Sequence, residues 1–331
     1  MFSNKIILIT GGTGSWGNEL TAQLLHKNPK EIRIISRGEF AQVTMYYKFM
    51  DDRIKFIIGD VRDLDSLKSA CKDVDYIFHL AALKHVPICE AQPDEAIKTN
   101  ITGTQNLIRA AIENHVKKVI DVSSDKAVDP LNLYGMTKAV GEKLIIHANT
   151  LSDTTKFLCI RGGNVLGSNG SVVPVFINMI KKHNKITITD KRMTRYFITL
   201  QEAIGLLFKA SEESIGGETF VMKMPSFKII DLGRALIDAH GNADTKIIEI
   251  GARPGEKLDE VLVSKYEAPQ TFEFGGGYYL ILPMLEKLRN LKEHYERLNL
   301  KKVEFEEYNS RMNLMDITTL KSSLKKGGFI D

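Results

Sequence analysis

Lys5-Ile6-Ile7-Leu8-Ile9 runs straight into Thr10-Gly11-Gly12-Thr13-Gly14-Ser15-Trp16-Gly17, and apolar residues then recur at Leu20, Leu24 and Leu25. The first run is too short for a helix and rich in β-branched residues, so it reads as a buried parallel strand. The leucines that follow have helical spacing. Between the two, glycines at 11, 14 and 17 permit a tight turn, close approach of backbone to a pyrophosphate, and close packing of helix on strand. The start of the helix then offers unpaired N–H groups to an anion. A merely glycine-rich turn would not require strand, glycines and helix in that order. The pattern predicts a dinucleotide site built from Gly11, Thr13, Gly14, Ser15, Trp16 and Gly17. It also commits the chain to a parallel α/β sheet.

The rhythm repeats. Ile32-Arg33-Ile34-Ile35 reads as a second strand ending in Ser36-Arg37, where NAD sites usually carry an acid for the ribose hydroxyls. A serine and an arginine suit a 2′-phosphate, which favours NADP, with NAD as the alternative. Phe56 to Val61 is a third strand, ending in Asp60 and Val61 beside the adenine. Tyr76 to Ala82 is the fourth, with the small Ala81 and Ala82 where backbone passes the cofactor. Lys84 and His85 follow on a strand-end loop, where ligands of open α/β sheets bind. Asn100 opens the next helical pattern within reach of the site. Lys118 to Ser123 is a fifth strand that delivers Ser124, Asp125 and Lys126, and Phe157 to Ile160 is a sixth. The fold class is therefore α/β: a doubly wound parallel Rossmann sheet with a smaller, discontinuous substrate-binding domain. Residues 1–165 are assigned to the dinucleotide domain with a return strand near 218–223, and 166–331 mainly to the substrate domain.

Tyr134 is followed four residues later by Lys138. On a helix that spacing stacks the two side chains on one face. An ammonium beside a phenol favours the phenolate, which can take a proton from an alcohol while hydride leaves the same carbon. Composition narrows the class further. Charged residues are 26% and hydrophobic ones 43%, the balance of a soluble globular protein. A net charge of +4 gives no electrostatic footprint for nucleic acid. Cys71, Cys89 and Cys159 lack metal-ligand spacing and fit reduced thiols, so no metal is expected. No apolar run approaches the roughly 20 residues of a membrane span, and the N-terminus lacks a signal peptide's features. A cytoplasmic protein without membrane contact is expected.

Taken with its motifs, the chain resembles the extended short-chain dehydrogenase/reductases, and more closely the nucleotide-sugar 4,6-dehydratases acting on UDP-N-acetylglucosamine in bacterial polysaccharide and flagellin-glycan synthesis. The matching segments are TGGTGSWG, GDVRD, AALKHVP, KTNITGT, SSDKAVDPLNLYGMTK, GNVLGSNGSVVP, ITDKRMTRYFIT and RPGEKLDE, spread over residues 10 to 260. The resemblance implies that Tyr134 takes the 4-hydroxyl proton, that Lys138 holds Tyr134 anionic and that Ser124 bonds the same oxygen. Lys126 would be the base at C5 and Asp125 the acid that releases the 6-hydroxyl as water. Both Tyr134 and Lys138 would also touch the cofactor, as would Lys84 and Asn100. The UDP-sugar would meet Lys84, His85, Asn164, Val172, Arg195, Arg253 and Glu256, with the two arginines clamping the diphosphate. A homo-oligomer is expected. The family commonly has R-Y-G-N where this chain has Arg161-Gly162-Gly163-Asn164, and an arginine where Asn169 stands. A C4 epimerase of UDP-sugars would need the same Tyr134, Lys138 and Ser124 without the acid–base pair. A silent NADP-binding scaffold would need none of them.

Overall fold

Residues Ile6–Thr10 form the first strand, β1, whose side chains alternate between two cores: Ile7 and Ile9 enter one, Leu8 the other. The computed structural model describes residues 1–166, 171–252, 255–275 and 277–331. After β1 come α1 (Ser15–Leu25), β2 (Glu31–Ser36), α2 (Glu39–Phe49), β3 (Ile54–Ile58), α3 (Leu64–Cys71) and β4 (Tyr76–His79). The chain continues through α4 (Val86–Ala91), α5 (Pro93–Ile97), α6 (Gly103–Glu113), β5 (Lys118–Ser124), α7 (Leu133–Ala148) and β6 (Lys156–Gly162). These strands pair in parallel in the order β3-β2-β1-β4-β5-β6. Because β1 and β4 are neighbours while β2 and β3 lie to one side, the loops after β1 and β4 diverge and leave a crevice at the strands' carboxyl ends. Leu20 and Leu24 of α1 pack with Ile7 and Ile9, while Leu67, Leu107 and Ile145 from α3, α6 and α7 cover the Leu8 face. Each such side chain, fully buried, stabilises the fold by about 1.5–3 kcal/mol.

The second half supplies α8 (Val172–His183), β7 (Lys185–Ile188), β8 (Thr194–Tyr196), α9 (Leu200–Glu213), β9 (Thr219–Met222), β10 (Ser226–Lys228) and α10 (Ile229–His240). It ends with β11 (Lys246–Glu249), β12 (Val261–Val263), β13 (Thr271–Phe274), β14 (Tyr278–Ile281), α11 (Arg289–Arg297), β15 (Tyr308–Asn309) and α12 (Ile317–Lys326). Strand β9 returns to pair in parallel with β6. The hairpin β13–β14 then adds two antiparallel strands beside β9, giving a sheet of nine. Among the described residues, three strand pairs lie outside that sheet: β8 with β10, β7 with β11, and β12 with β15. A third core gathers Phe176 of α8, Leu232 and Leu236 of α10, and Leu320 of α12. Two side chains from this half come to stand behind the crevice, next to Lys126: β8 brings Arg195, and the stretch before β12 brings Glu260.

Candidate active site

The crevice opens into a cleft of about 810 Å3. Gly11, Thr13, Gly14, Ser15, Trp16 and Gly17 line one part of it. Gly11 has φ +66°, and a Cβ there would stand 2.8 Å from the Ala81 Cα, so a side chain would strain the turn twice over. Gly14 leads into α1 and no side chain caps that helix start, which suits an incoming anion. Ser36, Arg37, Asp60, Val61, Ala81 and Ala82 line the adjoining stretch. Arg37 is exposed, and the Ser36 hydroxyl accepts a bond from Gln42 Nε2 at 3.0 Å. Asp60 accepts the Arg62 Nε at 2.8 Å and its backbone N–H at 2.9 Å. Burial pushes the Asp60 pKa up, but the Arg62 bonds and charge outweigh it and hold the carboxyl below its ordinary value. Three hydroxyl oxygens of cleft-lining residues, on Thr99, Ser123 and Ser171, are buried with no hydrogen-bond partner among the described residues. Buried polar atoms are normally satisfied, so the cleft is shaped to receive polar ligand groups, and a dinucleotide fits.

Strand β5 ends at Ser124, whose side chain caps a short helical turn, Asp125–Ala127, by accepting the Lys126 N–H at 3.2 Å. The Ser124 hydroxyl donates to Asp125 Oδ1 at 2.7 Å. Lys126 Nζ lies 3.1 and 3.2 Å from the two Asp125 oxygens and 3.5 Å from Glu260 Oε1. Asn132 caps α7 by accepting the Gly135 N–H at 2.9 Å, which sets Tyr134 in the first turn and Lys138 one turn on. Lys138 Nζ lies 3.3 and 3.4 Å from the Asp121 oxygens and donates to the Val122 carbonyl at 3.0 Å.

These contacts decide the charges. Burial disfavours the Lys138 ammonium, yet Asp121 beside it keeps its pKa above the ordinary value. Burial likewise disfavours the Lys126 ammonium, and Asp125 and Glu260 together reverse that and raise its pKa. Tyr134 corrects the expectation drawn from sequence. Burial raises its pKa; the Lys138 and Lys126 charges and a hydrogen bond with Ser124 pull it down without bringing it below the ordinary phenol value. In the protein alone, then, Tyr134 is a phenol and Lys126 an ammonium.

Lys84, His85 and Asn164 also line the cleft, and burial lowers the Lys84 pKa. Gly162 lines it too, and a Cβ there would meet the Met222 sulfur at 3.2 Å, so methionine fills space next to the position of the family's tyrosine. Other expected residues stand outside the lining. Asn100 is buried behind it, accepting the Leu83 N–H at 2.8 Å and donating to the Leu83 carbonyl and to Thr137 Oγ1 at 2.9 Å each. Val172 opens α8 and packs against the third core. Glu256 is half-buried outside the cleft lining. Arg195, expected at the diphosphate, is instead turned to the protein's own backbone. It donates to the carbonyls of Thr194 at 2.7 Å, Leu258 at 3.0 Å and Lys257 at 3.2 Å, and its Nε lies 3.5 Å from Glu260. Arg253 and Asn169 lie outside the described residues. Among the described residues, no helix is long and apolar enough to cross a membrane, and no cluster of His, Cys, Asp and Glu could hold a metal. The sequence reading missed Asp121 and Glu260. An acid inside the apolar run Val119-Ile120-Asp121-Val122 was a usable signal for the first; Glu260 closes the segment RPGEKLDE, but nothing in that segment points to Lys126 as its neighbour.

Residues 7–281 match the family of polysaccharide biosynthesis proteins. The chain belongs to this family. It is 47% identical over 290 residues to the UDP-N-acetylglucosamine 4,6-dehydratase (inverting) of Campylobacter jejuni, covering 86% of this chain and 85% of that protein. It is 44% identical over 330 residues to a UDP-glucose 4-epimerase of Rickettsia bellii, covering 97% and 96%. Among solved structures, Pen from Bacillus thuringiensis superposes with a TM-score of 0.90 at 40% identity, over 98% of this chain and 99% of that one. The chain is thus an extended short-chain dehydrogenase/reductase, with the dinucleotide cleft that such a sheet carries.

Proposed function

We propose that the chain is a UDP-N-acetylglucosamine 4,6-dehydratase working with NADP, and the observation that carries this is the Asp125–Lys126 contact of 3.1 Å in the cleft that also holds Ser124 and Tyr134. Dehydration needs an acid and a base beside an alcohol-oxidising tyrosine; epimerisation at C4 does not. A dinucleotide held by the turn from Gly11 to Gly17 and by Arg37 would supply, in its oxidised form, the hydride acceptor for C4 and then the hydride donor for C6, and its positive charge would add to the pull on the Tyr134 pKa. Tyr134, as phenolate beside Lys138, takes the 4-hydroxyl proton while Ser124 bonds the same oxygen. The 4-ketone makes the C5 proton acidic. Lys126, as amine, takes that proton, and Asp125, as acid, gives its own to O6 as the C6–O6 bond breaks and water leaves. This leaves carboxylate and ammonium, the pair in the contact described above. Lys126 then returns its proton to C5 as hydride reaches C6. Ser124, bonded to both Tyr134 and Asp125, links the phenol to the carboxylate, so the proton taken from O4 can restore the acid.

Arg37 at the end of β2, with no carboxylate on that strand end, supports NADP over NAD. A cytoplasmic setting and a homo-oligomer belong to the same reading. Exposed Phe40 and Tyr47 on α2 and Met50 just after it, at 84, 68 and 74% exposure, are what a second copy would cover. A lone protomer in light scattering would remove that part. The 44% identity to a UDP-glucose 4-epimerase over almost the whole chain keeps epimerisation as the rival. Mass spectrometry and NMR of the product from UDP-N-acetylglucosamine separate the two. A UDP-4-keto-6-deoxy sugar, lighter by one water, is expected; interconversion at C4 without loss of water would replace the dehydratase by the epimerase.

A further inference from the structure

Glu260 is buried, at 4% exposure, just before β12, and one of its oxygens faces two cations. Its Oε1 lies 3.5 Å from Lys126 Nζ and 3.5 Å from Arg195 Nε. Glu260 and Arg195 are both held in place. The Glu260 N–H donates to Ser310 Oγ at 2.9 Å, and the Ser310 N–H donates back to the Glu260 carbonyl at 2.8 Å. Arg195 grips the carbonyls of Lys257 and Leu258, so the segment that carries Glu260 cannot drift from β8. Glu260 is not part of the cleft lining and reaches the reaction only through Lys126.

We propose that Glu260 is a positioning residue for the elimination step: braced by Arg195, its carboxylate fixes where Lys126 Nζ rests and how readily the Asp125–Lys126 pair passes from ion pair to acid and amine. This rests on the dehydratase reading. The charged and titratable groups facing Lys126 are Asp125 beside it, Tyr134 from α7, Arg195 from β8, and Lys257 and Glu260 from the stretch before β12. Asp125 and Glu260 favour the ammonium, whereas Arg195 and Lys257 oppose it. Asp125 must give its proton to O6 and recover one in every turnover. Glu260 has no such duty, so it acts as a fixed charge, and Arg195 trims that charge. The two should therefore move the titration of the pair in opposite directions.

The pH dependence of dehydration tests this, because the alkaline limb reports loss of the proton shared by Asp125 and Lys126. Glu260→Gln removes a stabilising charge and leaves Arg195 unbalanced, so the limb should move down by about one pH unit. Glu260→Asp keeps the charge; it should slow the reaction while leaving the limb at its wild-type position. Arg195→Gln should move the limb up. A purely structural Glu260 would lower the rate in all three variants with every limb unmoved, and that result overturns the proposal. Should Glu260→Gln fail to fold, Arg195→Gln decides alone, since an unmoved or lowered limb there is equally fatal. Wild-type protein is assayed first. No water loss from UDP-N-acetylglucosamine would remove the dehydratase reading, whereas dehydration with unmoved variant limbs removes only the role of Glu260.

Discussion

In the proposed mechanism Tyr134 and Lys126 act on different protons, so replacing each should stop the reaction at a different place. Tyr134→Phe should slow every step, because oxidation at C4 comes first. Lys126→Ala should still oxidise C4, seen as reduced-cofactor absorbance in a single turnover, yet lose deuterium exchange from solvent into C5. Acid–base groups of this kind contribute about 10²–10⁴-fold, so both losses are measurable; normal dehydration by Lys126→Ala would contradict its role. Arg37 carries a second prediction. Arg37→Asp places an acid where NAD sites have one, and should reverse or erase a preference for NADP in binding titrations. Tighter binding of NAD by the wild type would sink the NADP assignment. The candidate catalytic groups were legible as candidates because they sit close together in the chain, Ser124 to Lys138, and their chemistry shows in their types. Glu260 was not, because 134 residues separate it from Lys126 and only the fold joins them. The resemblance put Arg195 at the diphosphate, and the carbonyls of Lys257 and Leu258 that engage it instead leave no trace in a sequence.

Helix α7 must lie close against the turn carrying Asp125 and Lys126, and one glycine permits it. A Cβ at Gly135 would stand 2.2 Å from the Lys126 carbonyl oxygen, a backbone atom that cannot rotate away. Gly135→Ala should therefore push α7 off the turn, displacing Tyr134 and Lys138 together. We expect a loss of kcat of about 10²-fold, since misplacement of about an ångström has that effect. Gly205 is the control. It is exposed in α9 with nothing within 4 Å of its would-be Cβ, so Gly205→Ala should raise stability by about 0.5–1 kcal/mol and leave kcat unchanged. Equal effects of the two substitutions in denaturation and kinetics would show that α7 has slack the structure denies. The parallel strands were readable because both faces are covered, which leaves continuous apolar runs such as Ile6 to Ile9. The hairpin β13–β14 was not. Its first strand, Thr271–Phe274, lies at the sheet edge with only Thr271 buried, Glu273 exposed and both phenylalanines half-buried, so it carries no continuous apolar run. Its membership of the sheet depends on pairing with β9, which no local pattern announces.

The central sheet also encloses a histidine whose titration links the protein's stability to pH. His79 ends β4, between β1 and β5, with 2% exposure. Its Nδ1 lies 2.7 Å from Thr10 Oγ1 and its Nε2 3.3 Å from Thr104 Oγ1, so both ring nitrogens meet hydroxyls that serve a neutral ring. Burial pushes its pKa down to about 4 from 6.5; Asp121 opposes the shift and Lys138 adds to it. The sign follows from linkage. The unfolded chain takes up this proton near pH 6.5 and the folded one only near pH 4, so the contribution is complete above pH 6.5 and lost as pH falls to about 4. That difference corresponds to about 3 kcal/mol. Urea unfolding of the whole protein at pH 7 and at pH 4 should show the wild type losing about 3 kcal/mol more than His79→Gln between the two. The variant starts from a lower stability, because a glutamine does not repeat both hydroxyl contacts, but the comparison is of slopes and that offset cancels. Other groups that titrate in the same window, Glu218 among them, are common to both proteins and cancel as well. Equal losses would mean that His79 is already protonated in the folded sheet, with Asp121 rather than burial governing its charge.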